Sequence, residues 1–521
     1  MANQSEKLTN LIKANVSVIQ IVSYETLRIH AMLVNSAKEL KRDLYTWNRV
    51  EGLKKWNSAE RAFEIEDSEM RIGEFVFNFY DELSEAILLL EDFYPDLTER
   101  SPENIRRVRN AALKNRPDRT LVLSQPQAFL PFELEKEVHV FELPYPEAAE
   151  IKAVYWRVCE KYGIRSYEPD RELMDAALGL TVMEAEKAFS LAYIENGALS
   201  RSEVPLVIME KENVIKKSGY LEYYHPREEM KDVGGLDNLK SWLAKRGRGF
   251  EKGAGDYGLT TPRGILLLGI PGTGKSLTAK AVGNLWRFPL LRLDMGKIFG
   301  GIVGQSESNI RGALNIAEAI APCILWIDEI EKAMSGINSS GMTDGGTTSR
   351  VLGTFLTWMQ EKVKPVFVVA TANNISQLPA ELLRKGRVDE IFFVDLPTQK
   401  EREEIISIHL KHKGRAPKSF DIAELARTSK GFSGAELEEV VKEALFCAFD
   451  GEREVASADI ADAIRKTFPL SRTMQETICK MRVWAKSRAV SASAEEPEKL
   501  DAEQDESIPK LKQEGYNNPF I

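Results

Sequence analysis

The chain has 521 residues, 43% of them hydrophobic and 29% charged, enough for roughly three or four globular units at about 150 residues each. Its formal net charge of −9 at pH 7 argues against wholesale binding to nucleic acid or to an anionic membrane, and no apolar run approaches the ~20 residues that span a bilayer. The four cysteines, Cys159, Cys323, Cys447 and Cys479, form no Cys-x-x-Cys pair and face no histidine array, which argues against zinc and disulfide frameworks and predicts buried thiols in a reducing compartment.

The N-terminus intersperses Lys7, Asn10, Lys13 and Asn15 among its apolar residues, so it lacks the unbroken core of a signal peptide. A cytosolic protein, or one in the equivalent compartment of an organelle, is expected. Val18-Ile19-Gln20-Ile21-Val22 reads as a strand leading into a helix through Ser23-Tyr24-Glu25-Thr26, a turn with neither glycine nor lysine. Ile87-Leu88-Leu89-Leu90 reads as a second buried strand. It ends in Glu91-Asp92, read as solvated strand-end carboxylates rather than a metal site. Residues 206–231, with Lys211, Lys216, Lys217 and the Tyr220–Tyr224 patch, read as a connection between modules. Lys245-Arg246-Gly247-Arg248 reads as a charged face in preference to a nucleic-acid contact.

The most informative stretch lies beyond. Gly264-Ile265-Leu266-Leu267-Leu268 reads as a buried strand. Gly269-Ile270-Pro271-Gly272-Thr273-Gly274-Lys275-Ser276 follows, and a helix opens at Leu277. A glycine-rich loop between strand and helix lets backbone N–H groups converge on an anion, and the helix N-terminus adds a favourable dipole. In this pattern the lysine reaches the β- and γ-phosphates and the Ser276 hydroxyl ligates Mg²⁺. ATP or GTP with Mg²⁺ is therefore expected here.

Ile324-Leu325-Trp326-Ile327 reads as a parallel strand ending at a ligand crevice in Asp328-Glu329. Asp328 would hold Mg²⁺ directly or through water, and Glu329 would polarise the attacking water. A third strand, Val366 to Thr371, ends in Ala372-Asn373. That amide either orients the water or caps a turn with Asn374. Arg384 and Arg387, on a turn with Gly386, are either solvated charge or arginine fingers acting on a neighbouring subunit.

With these motifs in this order, the segment from Asp232 to about Val490 resembles an AAA ATPase. Asp232-Val233-Gly234-Gly235-Leu236 resembles the family's adenine-side segment, Asn373 its sensor, and Arg384 and Arg387 its two arginine fingers. Gly431-Phe432-Ser433-Gly434-Ala435-Glu436-Leu437 resembles the opening of its small helical lid. The resemblance implies that Val233, Gly234, Gly434, Ala435 and His409 approach the nucleotide, with a packed or exposed His409 as the alternative. Gly264 to Ser276, Trp358 to Lys362 and Phe393 to Pro397 narrow the likeness to the hypothetical chloroplast open reading frame forty-six type, found in plastids, cyanobacteria and other bacteria. That implies a plastid stroma for an organelle-encoded member, ATP with Mg²⁺ as the ligand, and a ring of identical chains, hexameric in the family. Where many protein-threading members carry an aromatic residue in the pore, this chain has Ile302-Val303-Gly304. Threading is thus compatible with the sequence rather than implied by it. A second candidate pore loop spans Ser335 to Thr348.

The N-terminal half echoes this plan without its chemistry. Ile87 to Asp92 echoes Ile324 to Glu329 with the acids transposed, Leu130-Pro131-Phe132-Glu133-Leu134 echoes Leu378 to Leu382, and Leu143-Pro144 echoes Leu396-Pro397. The interval from Pro131 to Pro144 falls short of that from Pro379 to Pro397 by about the stretch that carries Arg384, Gly386 and Arg387. Gly179-Leu180-Thr181-Val182-Met183-Glu184 matches the spacing of Gly431 to Glu436.

The expected architecture is α/β. A P-loop NTPase (AAA) parallel sheet flanked by helices spans 232–400, and a small helical lid 401–490. A degenerate AAA-like module without a phosphate loop spans 1–205, a linker 206–231, and an acidic disordered tail 491–521 that ends in Asn518-Pro519-Phe520-Ile521. The leading function is Mg-dependent ATP hydrolysis coupled to remodelling or regulation of an unidentified protein client. A nucleotide-gated scaffold and a nucleic-acid-handling ATPase are the alternatives.

Overall fold

A computed structural model of the chain describes residues 4–70, 73–98, 100–126, 129–164, 168–251, 253–299, 305–332, 347–384 and 386–498. They divide into two units, Met1–Lys211 and Glu212–Ile521.

In the first unit the strands are β1 (Val18–Val22), β2 (Asp43–Asn48), β3 (Gly52–Asn57), β4 (Ala62–Asp67), β5 (Ala86–Glu91), β6 (Arg119–Gln125) and β7 (His139–Glu142), in the sheet order β4-β3-β2-β5-β6-β1-β7. Neighbours among β2, β5, β6, β1 and β7 are parallel, while β3 and β4 form an antiparallel hairpin at one edge. Strands in a parallel sheet are covered on both faces and so read as continuous apolar runs. In β5, Ile87 and Leu89 pack with the helix Thr26–Leu40 on one side, and Leu88 and Leu90 join Val108 and Trp47 on the other. The helices Ala148–Tyr162, Arg171–Ala177, Val182–Asn196 and Val204–Lys217 follow.

The second unit holds β8 (Leu221–Tyr224), β9 (Gly264–Gly269), β10 (Leu290–Leu293), β11 (Cys323–Ile327), β12 (Val366–Ala372), β13 (Glu390–Val394) and β14 (Val490–Ser491), ordered β14-β13-β9-β12-β11-β10-β8. All neighbours are parallel except β10 and β8. The helices Gln399–His412, Ile422–Thr428, Gly434–Asp450 and Ser457–Lys466 bury their own core of Ile406, Leu410, Leu437, Val441 and Ile460. This is the expected P-loop sheet with its helical lid.

The two sheets share one topology. The order β7-β1-β6-β5-β2 repeats as β13-β9-β12-β11-β10, and an antiparallel strand flanks β2 as one flanks β10. The sources of that flanking strand differ: β3 comes from the hairpin that follows β2, whereas β8 precedes β9 in the chain. Even the transposed acids keep their backbone, because Asp92 and Glu329 both sit at positive φ, 49° and 48°. The repeat continues past the sheet. Gly179 and Gly431 adopt φ 87° and 82°, and Thr181 and Ser433 then close capping boxes with Glu184 and Glu436. Such caps contribute about 0.5–2 kcal/mol each.

At the counterpart of the phosphate loop the first unit fills the space itself. Glu25, the N-cap of Thr26–Leu40, sends its Oε1 to the backbone N–H of Val182 at 2.6 Å and its Oε2 to Arg28 at 2.7 Å. Arg28 also donates to Glu150 at 2.8 and 2.9 Å and to the Pro144 carbonyl at 2.5 Å.

Several expected boundaries move. The segment 206–231 is more than a linker, since it contains the end of Val204–Lys217 and β8. Leu221 of β8 is buried and closes the sheet edge beside β10. The helix Gln475–Arg488 leaves the lid, because Met481 and Ala485 pack into the core under β11 and β12. The tail does not become irregular at 491. Ser491 pairs with Phe393, Ala492 is fully buried, and Glu498 accepts from Arg402 at 3.1 Å and from the Gln399 N–H at 2.9 Å. Buried Arg402 needs that carboxylate, so local acidity there reflects ion pairing. Of the cysteines, Cys159 and Cys323 are buried, but Cys447 is exposed and Cys479 half-buried. The triplet Ile302-Val303-Gly304, residues 335–346 of the second candidate pore loop, and the chain from 499 lie outside the described residues.

Candidate functional site

The site grows from strand order. β12 lies between β9 and β11, so whatever follows its last residue stands between the phosphate loop and the acids that leave β11. The loop 270–274 leaves β9 and hands over to the helix Lys275–Trp286. Gly272 turns at φ 77°, and a β-carbon on it would press the Ser433 hydroxyl at 3.0 Å. A side chain there would face both strain of about 1–2 kcal/mol and a clash with the lid. A β-carbon at Gly269 would collide with the Val394 carbonyl of the adjacent strand.

Lys275 is buried and donates to the carbonyls of Gly269 at 3.0 Å and Ile270 at 2.7 Å. Burial pushes its pKa down to about 8, against the pull of Glu331, Asp328 and Glu329. The Ser276 hydroxyl donates to Asp328 Oδ1 at 2.8 Å, and Thr371 Oγ1 donates to the same oxygen at 2.6 Å. Thr371 also accepts the Glu329 N–H at 3.0 Å. The Glu329 carboxylate meets Asn373 Nδ2 at 3.1 Å and Lys332 at 2.5 Å. Beside it, burial raises the Glu331 carboxyl above its ordinary range, while the Asn373 N–H donated to it works the other way.

A cavity of about 560 Å³ joins these groups to the lid. Its walls include Val233 and Gly234, Pro271, Gly272, Thr273, Gly274, Lys275, Ser276 and Leu277, Asp328 and Glu329, Asn373, His409, and Gly434 and Ala435. The lid is tied to the loop where the Ala435 N–H donates to the Gly272 carbonyl at 2.9 Å. On the opposite wall the segment 232–236 docks on Gln399–His412. Gly235 and Leu236 donate their N–H groups to Glu404 at 2.9 Å and Glu401 at 3.0 Å, and Asp232 meets His412 at 3.1 Å. His409 is half-buried in the wall, and burial lowers its pKa.

Of the residues singled out in the sequence, Arg384 and Arg387 stand apart. Neither lines the cavity; Arg384 is exposed, and Arg387 donates to the Glu381 carbonyl at 2.6 Å. Four contributors escaped the sequence reading. Thr371 bridges Asp328 and Glu329, Glu331 holds the Asn373 backbone, and Ile405 and Ile408 give the cavity an apolar wall. The hydroxyl of Thr371, at the end of a strand paired with β11, was the one readable signal among them. Among the described residues no helix is long and apolar enough to cross a membrane, and no cluster of three or more metal-ligating His, Cys, Asp or Glu side chains occurs.

Comparison with known proteins agrees with this fold. The sequence model of the ATPase family associated with various cellular activities (AAA) matches residues 265–396, and that of the AAA+ lid domain matches 419–462. The SpoVK-like AAA ATPase N-terminal domain matches 4–143, and the second domain of that type matches 149–218. The AAA domain-containing protein ycf46 of Pyropia yezoensis is 40% identical over 94% of this chain and 99% of its own length. That of Guillardia theta is 40% identical over 91% and 93%. The cell division cycle protein 48 homolog of Archaeoglobus fulgidus is 35% identical over 42% of this chain and 30% of its own. With a phosphate-loop sheet, a capped helical lid and near full-length relatives of one kind, this chain belongs to the AAA ATPase family, in the group that includes the ycf46 AAA domain-containing proteins.

Proposed function

We propose that the second unit hydrolyses ATP with Mg²⁺, that it does so within a ring of identical chains, and that the cycle remodels a protein partner. One observation carries the reading: Glu329 and Asn373 lie 3.1 Å apart on the same cavity as the phosphate loop and the Ser276–Asp328 pair. A hydroxyl and a carboxylate 2.8 Å apart are hard oxygen donors of the type Mg²⁺ takes together with waters and phosphate oxygens. The ion's contribution is neutralisation of charge on the β- and γ-phosphates.

The chain's own residues supply the rest. Lys275 exchanges the Gly269 and Ile270 carbonyls for phosphate oxygens, and the loop N–H groups cradle them. Glu329 accepts the proton of the attacking water, and Asn373 holds that carboxylate in line. Val233, Gly234, Ile405, His409, Gly434 and Ala435 enclose the base and ribose. Arg384 and Arg387, off their own cavity, complete the site of the adjoining chain, where an arginine contributes about 10³–10⁵ in rate. Steady-state ATPase measured against protein concentration tests this, with Glu329→Gln and Arg387→Ala alongside. Turnover should rise with assembly and collapse in both variants. Full turnover by either variant, or by a stable monomer, refutes the scheme. Affinity capture with Glu329→Gln in ATP then identifies the client.

A second reading, a nucleotide-gated scaffold, is favoured by the first unit, which keeps the fold but carries Glu25 where the other unit has its phosphate loop. Replacing Ile302 and Val303 with alanine separates the two. Loss of client processing with intact ATPase supports threading, and unchanged biological activity supports the scaffold. Nucleic-acid handling draws less support, since Arg246 lies 5.0 Å from the Trp242 ring and Arg248 lies 3.9 Å from Glu251. Salt-dependent stimulation by DNA or RNA would revive it.

A further inference from the structure

We infer that Glu331 is a positioning residue for the Glu329–Asn373 pair. The inference rests on the ATPase reading of this cavity. β12 ends at Ala372, which is the last residue of that strand paired with β9. Asn373 is the first residue beyond the ladder, so no strand partner takes its backbone N–H. Glu331 takes it instead, through Oε1 at 2.9 Å.

The Asn373 residue is thereby held at two points. Its backbone is tied to Glu331, and its side-chain amide to Glu329 at 3.1 Å. Both acids belong to one short segment after β11, with fully buried Ile330 between them as an anchor in the core. Glu329 itself is held at φ 48° by its N–H on Thr371 Oγ1 at 3.0 Å. A non-glycine residue keeps that conformation only when its surroundings over-determine it.

Glu331 is 3% exposed, and its second oxygen, Oε2, has no hydrogen-bond partner among the described residues. A buried carboxylate with one oxygen unsatisfied is unfavourable for folding alone. Beside Lys275 and Glu329, the bond it makes to the Asn373 backbone gives this buried carboxylate a structural task. Without that bond the turn after β12 loses its tie to the acidic segment, and the Asn373 amide loses its register on Glu329. Displacements of about 1 Å at such a position cost on the order of 10²-fold in rate.

The test is steady-state and single-turnover ATP hydrolysis by the full chain carrying Glu331→Met, which keeps volume and removes the acceptor, and Glu331→Gln, which keeps an acceptor oxygen. The expected result for Glu331→Met is a fall in kcat of about 10–100-fold, with KM for ATP not raised and cooperative unfolding retained. Glu331→Gln should recover most of the turnover. Adding Glu331→Met to Asn373→Ala should lower kcat no further than Asn373→Ala alone. If Glu331→Met does not fold, Glu331→Ala carries the same expectation. Wild-type kcat in the Met or Ala variant, a proportionate rise in KM, or a Gln variant as impaired as the Met variant would overturn the inference. Glu329→Gln run in parallel separates the two levels: full turnover there removes Glu329 as the catalytic base and with it the reading of the site on which the inference rests, whereas a dead Glu329→Gln beside an active Glu331→Met removes only the role of Glu331.

Discussion

The Glu25 carboxylate accepts the backbone N–H of Val182 at 2.6 Å, joining the first helix after β1 to the helix Val182–Asn196. In the second unit the corresponding loop and lid helix are joined by a different contact, the Ala435 N–H on the Gly272 carbonyl, and they line a cavity. A carboxylate facing a helix N-terminus takes the place that a phosphate would take. In the first unit a side chain makes the contact, and in the second the same region lines a cavity.

Each chain should therefore bind one nucleotide. Equilibrium dialysis with labelled ATP should approach one per chain at saturation, and Lys275→Ala should abolish binding. A second equivalent, or retained stoichiometric binding in Lys275→Ala, would contradict the closed first unit.

Arg28 should matter for stability far more than a surface arginine. Its side chain is 5% exposed and serves Glu25, Glu150 and the Pro144 carbonyl. Removing one partner of a buried ion pair costs about 3–5 kcal/mol, because the other charge is left uncompensated. Arg28→Ala should lower stability by that order in denaturant titration followed by a probe in the first unit. The exposed pair Lys13–Glu39 is the control, worth at most about 1 kcal/mol. Equal effects at the two places would show that the buried pair is not what holds this unit's helices together.

Thr371→Val tests the hydroxyl that bridges Asp328 and Glu329. Groups that orient a metal-binding carboxylate typically govern about 10–100-fold in metal affinity. The variant should need at least about tenfold more Mg²⁺ for half-maximal ATPase, with Lys275-dependent nucleotide binding preserved. An unchanged Mg²⁺ titration would leave Thr371 with a packing role only.

A pH dependence follows from Lys362. Burial lowers its pKa from the ordinary 10.5 to about 8, against Asp389 and Cys323, and its ammonium donates to the Val366 carbonyl. Below about 8 the lysine is charged in both folded and unfolded chains, and the folded state bears the full burial penalty. Between about 8 and 10.5 the unfolded chain binds more protons, so stability rises with pH across that window and levels off above it. Lys362→Met should reduce this slope and leave the part due to Lys275, whose pKa burial also lowers to about 8. An undiminished slope after the substitution would assign it to other groups.

The sequence alone carried the chemistry proposed for the second unit. The phosphate loop, the Asp328-Glu329 pair and Asn373 are local patterns, each placed at the end of a short apolar run that reads as a buried strand. It also disclosed the repeat, because strands and caps recur in order even where Glu25 has replaced glycine. What it did not reveal were contacts made across the sheet. Thr371, Glu331 and the apolar wall of Ile405 and Ile408 act through neighbours that only the order β9-β12-β11 and the docking of the lid bring close. The start of the tail was misjudged for the same reason: composition reports local solubility, whereas Ala492 and Glu498 are ordered by β13 and Arg402, both distant in the chain. Long-range pairing decides such positions because strand register and buried charge are satisfied in space, by whichever residue arrives there.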